Sequence, residues 1–230
     1  MMVKWSTIAA TTLCAGGLPL QAQINIVFEI PDAERETIFH VDFDTAETTW
    51  PLDSDDDVVL KVDKGLYVID RNKKEGNYIL LHDGFDLNED LTVEARMRKT
   101  KGDDDSVWYG LVWAYESDAD YSDFLVGADG TYSLNYSRQD SYNEVLGWTT
   151  NGALEKKVGW NTLRLERRAP SHTIMDVKVR FMHNYVYHFY LNGQLVGSYD
   201  EWPAFFGTYL GLRMSGDIKI EVDYVKVTRP

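Results

Sequence analysis

Residues 107–136 read V-W-Y-G-L-V-W-A-Y-E-S-D-A-D-Y-S-D-F-L-V-G-A-D-G-T-Y-S-L-N-Y, and this stretch decides the fold. Val107, Tyr109, Leu111, Trp113 and Tyr115 share one parity; Trp108, Gly110, Val112 and Ala114 share the other. Alternation of this kind, rich in aromatic and β-branched residues, marks a strand with one face against a core. A polar loop at 116–121 separates this run from S-D-F-L-V-G. Asp129-Gly130 then lies between two further runs, where it can supply the positive φ angles of a tight hairpin turn. Two hairpins in succession make an antiparallel meander, and a meander this apolar needs a second layer to cover it.

The same pattern continues in both directions. Toward the N-terminus, Ile38 to Phe43 reads as a first strand, Val58–Val62 and Leu66–Asp70 as a hairpin about Asp63-Lys64-Gly65, and Asn77–Leu81 as another strand. In Leu91–Lys99, Leu91, Val93, Ala95 and Met97 alternate with Thr92, Glu94, Arg96 and Arg98. Toward the C-terminus come Tyr142–Thr149, Trp160–Arg168, Ile174–Phe181, Tyr185–Leu191, Gly207–Met214 and Ile218–Val227, with Asn192-Gly193 the strongest hairpin signal of all. About a dozen short strands and no amphipathic helix predict an all-β sandwich or barrel. No fixed-period repeat suggests a propeller or solenoid.

The formal net charge of −14 argues against partners with anionic backbones or surfaces, so neither nucleic acid nor membrane binding is expected. Residues 1–22 read as a secretion signal: Lys4, a modestly apolar Thr7–Leu20, then Leu20-Gln21-Ala22 as a small-residue cleavage site. Secreted, periplasmic or cell-surface placement is the expectation. Leu13 precedes Cys14 where a lipoprotein signal would carry a smaller residue. Cys14 is the only cysteine, so the mature chain would have no disulfide, thiol or cysteine-based metal chemistry. Residues 23–37 read as an N-terminal arm and 38–230 as one β domain, large enough to bury a sizeable core. No later segment is long and apolar enough to span a membrane.

The succession D-F-D…W-P, K-G-L-Y-V-I, L-T-V-E-A-R, W-Y-G-L-V-W…Y-S-D-F-L-V-G-A-D-G-T-Y-S-L, W-N-T-L-R-L, F-Y-L-N-G-Q-L-V and V-D-Y-V-K-V resembles the concanavalin A-like lectin/glucanase superfamily, in particular its laminin-G-like, non-catalytic secreted domains. The resemblance covers essentially the whole of the expected mature chain. It implies a jelly-roll sandwich of two antiparallel sheets, a concave face or loops that bind carbohydrate, and calcium near that site in many relatives. Fold alone does not transfer function, so the residues need their own reading.

The related glucanases carry Glu-x-Asp-x-Glu on one strand, because alternate strand residues point the same way and a retaining mechanism needs two carboxyl groups about 5–5.5 Å apart. Glu116-Ser117-Asp118-Ala119-Asp120 has the spacing but lies between strands and ends in Asp; Glu221-Val222-Asp223 lies on a strand but continues into Val225 and Lys226. Neither is assigned as catalytic. His172, His183 and His188 lack zinc-ligand spacing, and no Gly-rich phosphate loop or G-x-S-x-G elbow occurs. The acidic runs at 53–57 and 101–106 offer Asp53, Asp55, Asp57, Asp103 and Asp105 as calcium candidates, although the central Gly and closing Glu of an EF-hand are absent.

Aromatic residues make the better case. Sugars present apolar C–H faces ringed by hydroxyls, which an aromatic plate flanked by polar side chains can grip. Trp113, Tyr115, Tyr121, Asp123, Tyr136, Arg138 and Trp148 are the candidate ligand-binding set, with Tyr142, Asn135, Gln139 and Asn143 nearby. Trp108 and Trp113 have opposite parity, so one of them must face away from the core. The expected function is a secreted, non-catalytic module that binds a glycan or an extracellular protein. The alternatives are a glycoside hydrolase or lyase of the same fold, and a structural or adhesion domain.

Overall fold

Period-two alternation leaves each strand one apolar face to bury, and the molecule answers with two antiparallel sheets packed face to face. The computed structural model describes residues 35–45, 48–82, 90–102, 106–156, 158–168, 171–174, 177–180, 185–200, 202 and 207–229. The signal at 1–22 and most of the arm at 23–37 lie outside them. One sheet contains β1 (Glu36–Val41), β2 (Val58–Asp63), β3 (Leu66–Arg71), β5 (Leu91–Lys101), β10 (Asn161–Arg168), β13 (Val186–Leu191), β14 (Gln194–Tyr199) and β16 (Ile218–Arg229). Its order is β14-β13-β10-β5-β16-β3-β2, with β1 paired to β16. The other contains β4 (Asn77–His82), β6 (Trp108–Ser117), β7 (Asp120–Gly127), β8 (Thr131–Arg138), β9 (Ser141–Thr150) and β15 (Tyr209–Ser215). Its order is β4-β15-β6-β7-β8-β9. A separate pair, β11 (Ser171–Ile174) and β12 (Val177–Arg180), stands where the sequence suggests a single strand. Among the described residues no helix is long and apolar enough to cross a membrane.

Hairpin chemistry explains the local connections. Asn192 and Gly193 both have positive φ, 50° and 80°, the pair of left-handed residues that a type I′ turn requires. At Asp129-Gly130 only the glycine is left-handed, φ 89°. Asp129 contributes its carboxylate instead, accepting from the Thr131 amide at 3.0 Å and the Thr131 hydroxyl at 2.6 Å.

The core lies between the sheets. Leu111 and Trp113 of β6, Phe124 of β7, Leu134 of β8 and Leu212 of β15 pack toward Met97, Leu163, Phe189, Leu191 and Val222. Phe189 joins the layers: its ring centroid is 5.7 Å from Trp113, 5.6 Å from Phe124 and 5.1 Å from Trp202. Trp202 donates its indole N–H to Ser122 Oγ at 3.0 Å, which satisfies the polar atom this ring would otherwise bury bare. Phe189→Ala should therefore cost about 3–5 kcal/mol, and Val59→Ala on an exposed position of β2 under about 0.5 kcal/mol, by chemical denaturation.

On the opposite face of β13, His188 is 8 % exposed and stands across from Glu166. Burial pushes its imidazole pKa down, Glu166 opposes this, and Arg168 adds to it. The folded state thus binds the proton less readily than the unfolded chain. Stability is complete above the unfolded value of about 6.5 and is lost as pH falls through and below it. Denaturation midpoints measured between pH 5 and pH 7.5 should fall toward the acid end, with a shallower fall in His188→Gln.

Candidate functional site

The residues of opposite parity in the six-stranded sheet form its outer face. Cross-strand register places them in rows. Val112, Asp123, Asn135 and Glu144 stand side by side across β6, β7, β8 and β9; Tyr121, Ser137 and Tyr142 form the neighbouring row. Such a face would ordinarily be solvated and simply polar. Here its middle is sealed.

Asp123, Ser133 and Asn135 are fully buried, 0 % exposed, on the side away from the core. Asn135 Nδ2 donates to Asp123 Oδ1 at 2.8 Å and to Ser133 Oγ at 3.0 Å. The other Asp123 oxygen accepts from Arg213 Nη1 in a buried ion pair. Arg213 belongs to β15 and Asp123 to β7, so the pair crosses over β6. It passes beside Gly110, the register partner of Arg213. A Cβ at Gly110 would stand 2.0 Å from the Phe124 carbonyl oxygen, so strand spacing there permits only glycine. The guanidinium lies 4.6 Å from the Tyr121 ring centroid and 5.2 Å from that of Trp108, two aromatic faces that complement its charge.

Phenols surround this network. Burial raises the pKa of Tyr121 and Tyr142, with Asp123 adding to both and Arg213 opposing. Burial and the hydrogen bond to Asp118 push the Tyr115 hydroxyl up to about 12. All three therefore stay protonated near neutral pH and present hydroxyl donors. Burial also pushes the Asp123 carboxyl up, while Arg213 and Asn135 pull it back.

Backbone irregularities decide which side chains reach this face. Ala114 has φ 51°, and both Trp113 and Ala114 join the core, so Tyr115 turns outward and stacks on Tyr121 at 6.2 Å. Along β9, Glu144 pairs with Asn135, Leu146 with Leu134 and Thr149 with Tyr132. The two extra residues in that count are bulges: the first turns Leu146 inward, and the second restores the original parity. Trp148 consequently emerges on the same face as Tyr142, its ring edge over Gly127. Tyr142 is 50 % and Trp148 43 % exposed, and Tyr209 of β15, the register partner of Tyr115, is also exposed.

Four of the seven ligand-binding candidates, Tyr115, Tyr121, Asp123 and Trp148, come together here. Trp113 does not: it is 3 % exposed between the sheets, because its parity belongs to the core and Trp108 takes the outward place. Tyr136 packs against the core, 6.1 Å from Trp202, and Arg138 is exposed beside the β8–β9 turn in the same parity. Sequence reading missed Arg213. Its signal was a charge inside the apolar strand Y-L-G-L-R-M, where a buried cation demands a partner.

Asp123 and Glu144 are the carboxylates in the middle of the face, and β8 separates them by two strand spacings, roughly 9.5 Å between backbones. Both Asp123 oxygens are already engaged. Of the sequence-level acid pairs, Asp118 accepts from Tyr115 at 3.0 Å and Asp120 from the Gln139 amide at 3.2 Å. Glu221 and Asp223 lie on the other sheet, bound to Arg98 and Arg96, each at 2.6 Å. The calcium candidates fare no better. Asp55 accepts the Asp57 and Val58 amides at 2.8 Å, and Asp57 pairs with Lys73 at 2.8 Å. Among the described residues no three His, Cys, Asp or Glu side chains converge as a metal site. Asp103 and Asp105 lie outside the described residues.

No protein-family model matches the chain, and no curated protein matches it in sequence. Solved structures do. A Bacillus licheniformis β-glucanase superposes with TM-score 0.59 at 10 % identity, over 84 % of this chain and 98 % of that one. The carbohydrate recognition domain of Emp47p gives 0.53 at 12 % identity, over 87 % and 99 %. A Bacillus licheniformis GH43 protein, BlXynB, gives 0.55 at 10 % identity, over 83 % and 39 %. The fold is the concanavalin A-like jelly roll of lectins and glucanases, as the sequence motifs imply.

Removing either member of the buried ion pair strands a charge. Arg213→Met and Asp123→Leu should each cost about 3–5 kcal/mol, whereas the double variant costs less than their sum. A double-mutant cycle by chemical denaturation reads this coupling.

Proposed function

We propose that this protein is a non-catalytic carbohydrate-binding β-sandwich that takes a glycan on the outer face of its six-stranded sheet. The observation that carries the reading is the pairing of two exposed rings on one strand, Tyr142 and Trp148, with a rigid donor and acceptor network beside them. An aromatic plate matches the C–H face of a sugar. The hydroxyls of Tyr121 and Tyr142 and the carboxylate of Glu144 match its rim of hydroxyl groups. Tyr142 pairs with Ser137 and Trp148 stands level with about Ser133, so four residues of β8 span the two rings, roughly 13 Å at about 3.3 Å per residue, which suits a chain of sugars rather than a single ring.

A binding role is favoured over hydrolysis by the state of Asp123. Its carboxylate is sealed and fully hydrogen-bonded, so it orients neighbours instead of reacting. The fold neighbours include both a carbohydrate recognition domain and a glucanase, consistent with glycan contact and neutral as to catalysis. The leader read at residues 1–22 fits a ligand met outside the cytoplasm.

Native affinity electrophoresis through gels containing different polysaccharides tests the reading. The protein should be retarded by at least one of them, without cleavage of the polymer. Trp148→Ala should then weaken retardation by about thirtyfold, equivalent to about 2 kcal/mol, and Tyr142→Ala by a comparable amount, with the thermal midpoint of both variants within about 2 °C of the parent. Retardation that survives both substitutions would place the glycan elsewhere. Sugar release from a retarding polymer would overturn the non-catalytic reading.

A further inference from the structure

The eight-stranded sheet also has an outer face, and it is built differently. Arg98 with Glu221, Arg96 with Asp223 and Lys101 with Asp217 form ion pairs along β5 and the neighbouring end of β16. Arg96 and Arg98 also flank Trp160, 4.8 and 4.4 Å from its ring. Most of this surface is thus compensated charge for charge.

One place is not. Across β10, β5 and β16, Arg164, Glu94 and Lys226 form one row, and Glu166, Thr92 and Thr228 the next. The Arg35 side chain, 3 % exposed, lies over the second row. It donates to Thr92 Oγ1 at 2.8 Å and to Glu166 Oε1 at 2.9 Å. Glu166, 2 % exposed, serves three guanidinium groups: Arg35 at 2.9 Å, Arg168 at 3.2 Å and Arg164 at 3.4 Å. Burial pushes its carboxyl up, but the three arginines outweigh this and hold it below the usual carboxylate range. Arg164 is fixed in turn over the Tyr190 ring at 4.1 Å. Glu94 is also engaged, accepting from the Tyr224 hydroxyl at 2.7 Å.

Arg35, Arg164, Arg168 and Lys226 therefore face Glu94 and Glu166, a local excess of two positive charges in a chain whose net charge is −14. The excess surrounds a shallow pocket of about 20 Å³, partly open to solvent, lined by Arg35, Thr92, Glu94, Arg164, Lys226 and Thr228. No apolar side chain lines it. Its threonines are 4 % exposed, and Lys226 and the Thr228 hydroxyl have no hydrogen-bond partner among the described residues. Like charges held together at a partly buried site, such as Arg164 and Lys226, favour a negative group that joins them.

We propose that this pocket is a second binding site, for a small oxyanion group, carboxylate or sulfate, whose oxygens accept from Lys226, Arg164 and the Thr228 hydroxyl. Charge-assisted hydrogen bonds of this kind are among the strong ones, and arginine matches both groups geometrically. The site lies on the sheet opposite Tyr142 and Trp148, so it does not depend on the glycan reading above.

Isothermal titration of the protein with D-galacturonate, with sodium sulfate and with neutral D-galactose at low ionic strength tests it. Galacturonate, sulfate or both should bind, and galactose should not bind at this site. Lys226→Gln and Arg164→Gln should each weaken the anion by about tenfold, the loss expected for one charged hydrogen bond. Lys226 makes no ion pair among the described residues, so its variant should keep the parent's thermal midpoint. Tyr142→Ala should leave anion binding unchanged whatever it does to polysaccharide retardation. Galacturonate alone would assign the oxyanion as a carboxylate, and sulfate alone as a sulfate. Absence of binding by both anions, or binding that neither the Lys226 nor the Arg164 variant weakens, would overturn the proposal.

Discussion

Phe189 meets Trp113, Phe124 and Trp202 in the middle of the sandwich, and that aromatic contact sets the terms for everything outside it. Burying these rings is the main source of favourable free energy available to a chain expected to have no disulfide. It also commits one parity of every central strand to the interior. Once Trp113 and Phe124 point inward, Trp108 and Asp123 can only point out. The outer face of the six-stranded sheet is therefore a by-product of core packing.

Its buried polar groups have an energetic cost, and the structure shows where it is met. A carboxylate with no exposed surface is expensive unless its charge and lone pairs are all answered. Arg213 reaches over a whole strand to answer one oxygen, and Asn135 answers the other. Gly110 is the local condition for this arrangement, because a side chain there would strike the next strand. The result is a stiff polar floor beneath the exposed surface rings, and stiffness is what a recognition surface needs to limit the entropy lost on binding.

The fold was legible because its signals are local and redundant. Alternation in 107–136 and the turn at Asn192-Gly193 each predict strands, and together they require two layers. The site was only partly legible, for reasons of backbone geometry. Simple alternation puts Trp113 and Tyr115 on one face; the left-handed Ala114 between them separates the two. Along β9 the first bulge turns Leu146 inward and the second cancels it, so Trp148 stays on the side of Tyr142 while Leu146 does not. Bulges of this type carry no reliable mark in the sequence. Arg213 was hidden differently: its partner Asp123 is 90 residues away, and only the sheet order brings them together. The cationic pocket was equally invisible, since its lining comes from β5, β10, β16 and the segment before β1.

Strand β9 sits at the margin of its sheet and carries two of that sheet's exposed rings, Tyr142 and Trp148. Its inner neighbour is β8, and nothing in the described sheet lies beyond it. Exchanging Tyr142, Glu144 or Trp148 would alter what the surface grips while leaving the Phe189 cluster and the Arg213–Asp123 pair as they are. The chemistry of this border strand can thus be rewritten while foldability is conserved in the rest.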